Sequence, residues 1–248
     1  MLETRVIPCL LLRNESLVKT IKFDKFGYIG DPCNTVRIFN ELEVDELVFL
    51  DITATNEQRT PNLKLLKDIA DECFMPLAYG GGISSLQQAK EIFAIGFEKV
   101  ILNSHTVSNP ELITEIAEHF GNQAVVVSID VRKSKGGEYQ VFSHAGTKKV
   151  PYTLLDWATK VESLGAGEIL LTNIDREGTW DGYDYELIES LAGHLTIPVV
   201  ANGGAGGTQD FVQAKGRGAS AIAAGSLFVY QKKGMGVLVN MPERPHNL

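Results

Sequence analysis

ELVFLDI (46–52), MPLAYGGGI (75–83) and KVILNSHTV (99–107) recur in the same order as EILLTNI (168–174), IPVVANGGA (197–205) and AIAAGSLFV (221–229). Pro76 falls over Pro198, Gly82 over Gly204 and Ser104 over Ser226, so the offset is 122 residues throughout and no gap is needed. Each copy reads strand, helix, strand, glycine-rich turn, helix, strand, small polar turn. A βα array doubled in this way most naturally closes into an eightfold (β/α)8 barrel, the TIM-barrel architecture, with the two glycine turns on one rim. Two equivalent turns point to a ligand carrying two like groups.

Outward from the repeat, short continuous apolar runs fit parallel strands buried on both faces, at about 6–12, 47–52, 76–79, 99–102, 124–130, 169–174, 198–201 and 219–223. Helix starts are marked by Asp31 with Pro32, Thr60 with Pro61, Ser84, Asn109 with Pro110, and Thr208; Gly96 and Gly193 mark ends. The segment from Arg13 to Gly30, with Lys19, Lys22 and Lys25, is long for a βα connection and reads as a mobile lid or binding loop. After Phe228 the chain carries two glycines, two prolines and no 3.6-residue apolar period, so the eighth helix reads as degenerate.

A chain of 248 residues matches one complete barrel, residues 1–248 as a single domain, without a linker-like interruption. The formal charge of −8 argues against nucleic acid or an anionic membrane as a partner, since either needs a broad positive face. Any phosphate must be held locally. Cys9, Cys33 and Cys73 have no metal-like spacing, and neither a signal peptide nor a membrane-length apolar run is present; the expectation is a reduced, cytoplasmic protein with no metal and no cofactor.

Active sites of such barrels lie at the carboxyl ends of the strands. There the first half places Gly80, Gly81 and Gly82, then Asn103 and Ser104; the second places Asn202, Gly203 and Gly204, then Gly225 and Ser226. Glycine lets the backbone approach an anion, and turn N–H groups can point at it, although glycines also make tight turns for their own sake. Asp130 ends the apolar strand VVVSIDV and Asp51 ends VFLDI. A carboxylate delivered from an apolar strand to a pocket mouth can serve as general acid or base; capping a neighbouring helix or pairing with lysine is the alternative for both. Glu177, in the polar loop DREGT (175–179), is the next carboxylate candidate. Laying VIPCLLL (6–12) over VVVSIDV (125–131) sets Leu11 opposite Asp130, so one half lacks the acid that the other keeps. At the opposite end of the barrel, Arg5, Glu46, Lys99 and Glu168 each begin a strand, two of each sign, which suggests an ion-pair layer.

These motifs together resemble the cyclase subunit of imidazole glycerol phosphate synthase, a histidine-biosynthesis barrel. The resemblance runs from Arg5 to about Val229, and includes GDP (30–32), DELVFLDITA (45–54), GGGI (80–83), NPELI (109–113), QAVVVSID (123–130), GAGEILLT (165–172), IDREGT (174–179) and NGGAG (202–206). It implies an enzyme that cleaves and cyclises a ribulosyl aminoimidazole carboxamide ribonucleotide bearing two phosphates, using ammonia from a glutaminase partner docked at the N-terminal face of the barrel. It also implies roles: Asp130, Lys19 and Glu177 as catalytic residues; Gly81, Gly82, Asn103, Ser104, Asp51, Thr172, Gly203, Gly204, Gly225 and Ser226 as the substrate and phosphate set; and Arg5, Glu46, Lys99 and Glu168 as a gate for ammonia. Three departures stand out: Leu11 replaces a second catalytic aspartate, Glu177 replaces an aspartate, and the last helix is lost. The resemblance therefore also admits a diverged relative, one that amidinates a surface sugar beside a separate ligase, or a scaffold that only docks a glutaminase.

Overall fold

The computed structural model describes residues 4–246 and 248. The first half contains β1 (Arg5–Arg13), β2 (Ser16–Ile21), β3 (Asp24–Gly30), α1 (Pro32–Glu41), β4 (Leu47–Asp51), α2 (Leu63–Glu72), β5 (Leu77–Gly80), α3 (Leu86–Ile95), β6 (Lys99–Leu102), α4 (Ser104–Ser108) and α5 (Glu111–Phe120). The second contains β7 (Val125–Lys133), β8 (Tyr139–Ser143), β9 (Lys148–Thr153), α6 (Leu154–Ser163), β10 (Glu168–Asn173), α7 (Tyr185–Ala192), β11 (Val199–Asn202), α8 (Thr208–Gly216), β12 (Ala221–Ala224) and α9 (Ser226–Val229).

Parallel pairing runs β1, β4, β5, β6, β7, β10, β11, β12 and back to β1, which closes the eight-stranded barrel. Period-2 alternation divides each strand between two cores. Val125, Val127 and Ile129 of β7 face the helices, while Val126 faces the barrel interior beside Ile7, Val48, Ala78 and Val200. Small side chains such as Ala78, Ala221 and Ala223 keep that interior narrow but unplugged by bulk. No helix is long and apolar enough to cross a membrane.

The doubling goes further than the quoted motifs. The first strand of each half is followed by an antiparallel hairpin, β2–β3 after β1 and β8–β9 after β7. The segment expected to be a lid loop is thus largely strand. Helix starts follow their local chemistry, with small shifts. Asp31 caps α1 by accepting from the Asn34 N–H at 2.8 Å, ahead of Pro32. Asn62, not Thr60, caps α2, and Ser85, not Ser84, caps α3, because those side chains reach the N–H groups of Leu65 and Gln88. Gly96 ends α3 at φ 119°, a left-handed position that suits glycine.

Among the described residues no helix follows Val229, and an extended tail takes its place. The Leu238 N–H donates to the Val229 carbonyl and that of Asn240 to the Phe228 carbonyl, both at 3.0 Å. Val239 and Met241 pack against the outer core, Leu248 is buried, and Arg244 pairs with Asp45 at the bottom of the barrel. The tail covers the flank that a helix would otherwise cover.

Candidate functional site

The carboxyl ends of the strands enclose a cavity of about 410 Å³, and every residue expected to act on or hold a substrate lines it. Asp130 lies at its wall, buried, with Asn103 Nδ2 donating to Oδ2 at 2.7 Å and Ser128 Oγ to Oδ1 at 3.3 Å. Burial pushes its carboxyl up to about 7, against the opposing pull of hydrogen bonds from Asn103, Ser128 and Thr172. Asn202 Nδ2 in turn donates to Thr172 Oγ1 at 3.0 Å, so a polar relay links β11 and β10 to the acid on β7. A carboxyl titrating near neutrality can exchange a proton in either direction.

The other two carboxylates weighed as acids, Glu177 and Asp51, are engaged. Glu177 pairs with Lys19, both buried, and its second oxygen accepts from the Phe23 N–H at 3.2 Å. The Glu177 carbonyl also accepts from the Lys22 N–H at 2.9 Å, so the β2–β3 hairpin is fastened onto the loop after β10. Lys19 Nζ donates to the Thr20 carbonyl as well. Asp51 faces the cavity but accepts from the N–H groups of Thr53 and Ala54 and from Arg59 Nη1 at 3.2 Å, which makes it a turn cap and ion-pair partner. Of the three carboxylates weighed as acids, only Asp130 has no cation partner among the described residues.

The glycine turns sit across the mouth from one another, above β5 and β11. Gly81 and Gly82 have φ of 126° and 69°, and Gly203 and Gly204 of 84° and 116°. Their space is filled: a Cβ on Gly82 would lie 2.5 Å from the Arg59 carbonyl oxygen, and one on Gly204 2.3 Å from that of Gly182. Gly204→Ala is therefore expected to lower stability by about 2 kcal/mol or more. Gly216→Ala, in open space at a helix end, should be neutral or slightly stabilising. Denaturant midpoints of the two variants compare them directly, and equal midpoints would show that the turn relaxes.

Gly225 packs against Lys19, whose Cε would be 2.8 Å from an added Cβ. Ser104 Oγ accepts from the His144 N–H at 2.9 Å, which draws the β8–β9 turn over the cavity so that Ala145 and Thr147 line it. Sequence reasoning missed this turn. Gly146, in the stretch HAGT (144–147), is the turn signal that would have pointed to it.

At the opposite end, Arg5 and Lys99 each bridge Glu46 and Glu168, forming a closed four-membered ring of alternating charge. Both carboxylates are buried. Just inside the ring is a void of about 10 Å³ bordered by Glu46, Glu168, Ile7 and Val126; Ile101 borders both this void and the large cavity. Ring, void and cavity follow one another along the barrel.

A family model described as "Histidine biosynthesis protein" matches residues 5–234. A protein of Pseudomonas aeruginosa, provisionally named imidazole glycerol phosphate synthase subunit hisF2, is 48% identical over 98% of this chain and 97% of its own length. A Leptospira interrogans protein with a similarly provisional name, subunit HisF, is 47% identical over 98% and 97%. Imidazole glycerol phosphate synthase subunit HisF of Alkaliphilus metalliredigens is 44% identical over 94% and 92%. With a match that spans nearly the whole barrel, and with the doubled glycine turns and the charged ring in place, the chain belongs to the histidine biosynthesis protein family.

Proposed function

We propose that this chain is a cyclase-type synthase subunit that receives ammonia through the bottom of its barrel and uses it on a bisphosphorylated ribulosyl aminoimidazole carboxamide ribonucleotide. The observation that carries the reading is the alignment of three features: the Arg5–Glu46–Lys99–Glu168 ring, the apolar interior above it, and Asp130 at the cavity wall. An apolar passage favours neutral ammonia over ammonium, because a charged group entering it loses hydration without compensation. A carboxyl near neutrality can then take a proton from the nitrogen or give one to a leaving group. The two glycine turns supply neutral N–H donors at either side of the mouth, matching a substrate phosphorylated at both ends. A glutaminase docked around the ring is the matching source of ammonia.

Leu11 supports a second reading, in which the barrel has moved to another reaction, such as the amidination of a surface sugar beside a separate ligase. It lines the cavity at the place equivalent to Asp130, and leucine transfers no proton. Steady-state turnover of the ribulosyl substrate with added ammonia, with and without a glutaminase, separates the two. The cyclase reading requires turnover of about 1 to 10³ per second from the unmodified chain. The diverged reading requires little turnover, with partial recovery in Leu11→Asp. Robust unmodified activity would eliminate the second reading.

A further inference from the structure

The doubling of the barrel is broken at one sector of the cavity mouth. Thr55 and Asn56, in the loop after β4, and His105, in the short helix α4, all line the cavity. At the offset of 122 residues they fall over Glu177, Gly178 and Leu227. Glu177 is committed to Lys19, Gly178 has no side chain, and Leu227 packs against the outer core rather than lining the cavity. Uncharged hydrogen-bonding groups therefore gather on the first-half side alone.

The backbone that carries them is held from several directions. Asp51 accepts from the N–H groups of Thr53 and Ala54, Arg59 Nη2 donates to Thr53 Oγ1 at 2.8 Å, and the Arg59 N–H donates to the Ala54 carbonyl at 2.8 Å. This clasps the loop at its base and leaves Thr55 and Asn56 at its tip. Asn56 Nδ2 reaches the His144 carbonyl at 3.5 Å, and the His144 N–H donates to Ser104 Oγ, so the β8–β9 turn bridges from Asn56 to the residue before His105. The side-chain tips are uncommitted: among the described residues Thr55 Oγ1, Asn56 Oδ1 and both ring nitrogens of His105 have no hydrogen-bond partner. A ligand meeting fixed backbone and free tips loses little to ordering of the site.

Their chemistry selects the group that fits. A hydroxyl, a carboxamide and a neutral imidazole each donate and accept, as a sugar hydroxyl does. The sector holds no lysine or arginine; of the two that line the cavity, Lys19 is held by Glu177 and Arg13 rests on the Phe26 ring. With Asp51 at the base of the same loop, an anion placed here would lose hydration without a compensating charge. The loop also abuts the first glycine turn, where a Cβ on Gly82 would lie 3.1 Å from that of Ala54.

We infer that Thr55, Asn56 and His105 form a specificity subsite that recognises hydroxyl groups on the uncharged sugar portion of the substrate, beside the first glycine turn. This rests on the bisphosphate reading above and adds which residues recognise the part of the ligand between its phosphates.

The test is calorimetric binding of fructose 1,6-bisphosphate and of 1,6-hexanediol bisphosphate, which carries two phosphates on a carbon chain without hydroxyls. The unmodified chain should bind the fructose compound at least about tenfold more tightly. Thr55→Val, Asn56→Ala and His105→Leu should each weaken fructose 1,6-bisphosphate by about 2- to 10-fold and leave hexanediol bisphosphate unchanged. The ratio separates recognition from damage, since a distorted mouth weakens both probes, and Thr55→Val keeps the shape of the side chain. Equal affinity of the unmodified chain for the two probes, or a preference kept in full by two or more of the variants, would overturn the subsite and leave the bisphosphate reading standing. If neither probe binds, the bisphosphate reading fails and the subsite falls with it.

Discussion

Asp130→Asn is expected to lower kcat/KM by about 10²- to 10⁴-fold while making the folded chain more stable at alkaline pH. Both effects come from the burial that lifts the Asp130 carboxyl up to about 7. In the unfolded chain this group titrates near 3.9, so the folded state binds its proton more tightly. The favourable contribution is fully present below about pH 4, declines as pH rises and is gone above about pH 7. At pH 8 the folded chain therefore carries a buried ionised carboxylate at a disadvantage of up to about 4 kcal/mol relative to pH 4. Asparagine removes that disadvantage. Melting temperatures should rise by several degrees in the variant at pH 8 and differ little at pH 4. In activity profiles, the limb centred near pH 7 should disappear. An unchanged kcat/KM in a folded variant would remove Asp130 from the mechanism.

The second large effect is expected at the bottom of the barrel. Glu168→Ala leaves Arg5 and Lys99 sharing Glu46 alone, in a partly buried setting. A loss of about 3 to 5 kcal/mol is expected, because an uncompensated charge near a buried layer is far less favourable than an absent pair. Combining Glu168→Leu with Lys99→Met restores neutrality around Arg5 and Glu46, and should recover part of the loss that Glu168→Leu causes alone. Urea titrations arranged as a double-mutant cycle measure the coupling, expected to exceed about 1 kcal/mol. Additive losses would show that the ring is a set of independent surface pairs. In turnover assays the single variant should lose glutamine-supported activity with the partner present and keep activity with added ammonia.

Which of Asp51, Asp130 and Glu177 stays without a cation partner could not be read along the chain. Lys19 and Glu177 lie 158 residues apart, and their pairing depends on the hairpin after β1 folding onto the loop after β10. Asp51 and Asp130 end similar apolar strands. Yet Asp51 is bound up by its own following loop and Arg59, whereas among the described residues Asp130 accepts hydrogen bonds from the amide of Asn103 and the hydroxyls of Ser128 and Thr172 and pairs with no cation. The difference lies in what the neighbouring strands bring across.

By itself, the sequence determined the doubled barrel, the rim that bears the two glycine turns, the charged strand starts and the missing acid at Leu11. These are consequences of periodicity, and a strand's two ends and alternating faces are fixed by its own residues. Only the tertiary structure decided which of Asp51, Asp130 and Glu177 stays without a cation partner among the described residues, which segment covers the flank of the lost helix, and that the β8–β9 turn is drawn over the cavity. Those outcomes depend on register around a closed ring, which juxtaposes groups from opposite halves of the chain. A hydrogen-bond partner more than a hundred residues away leaves no trace in local pattern.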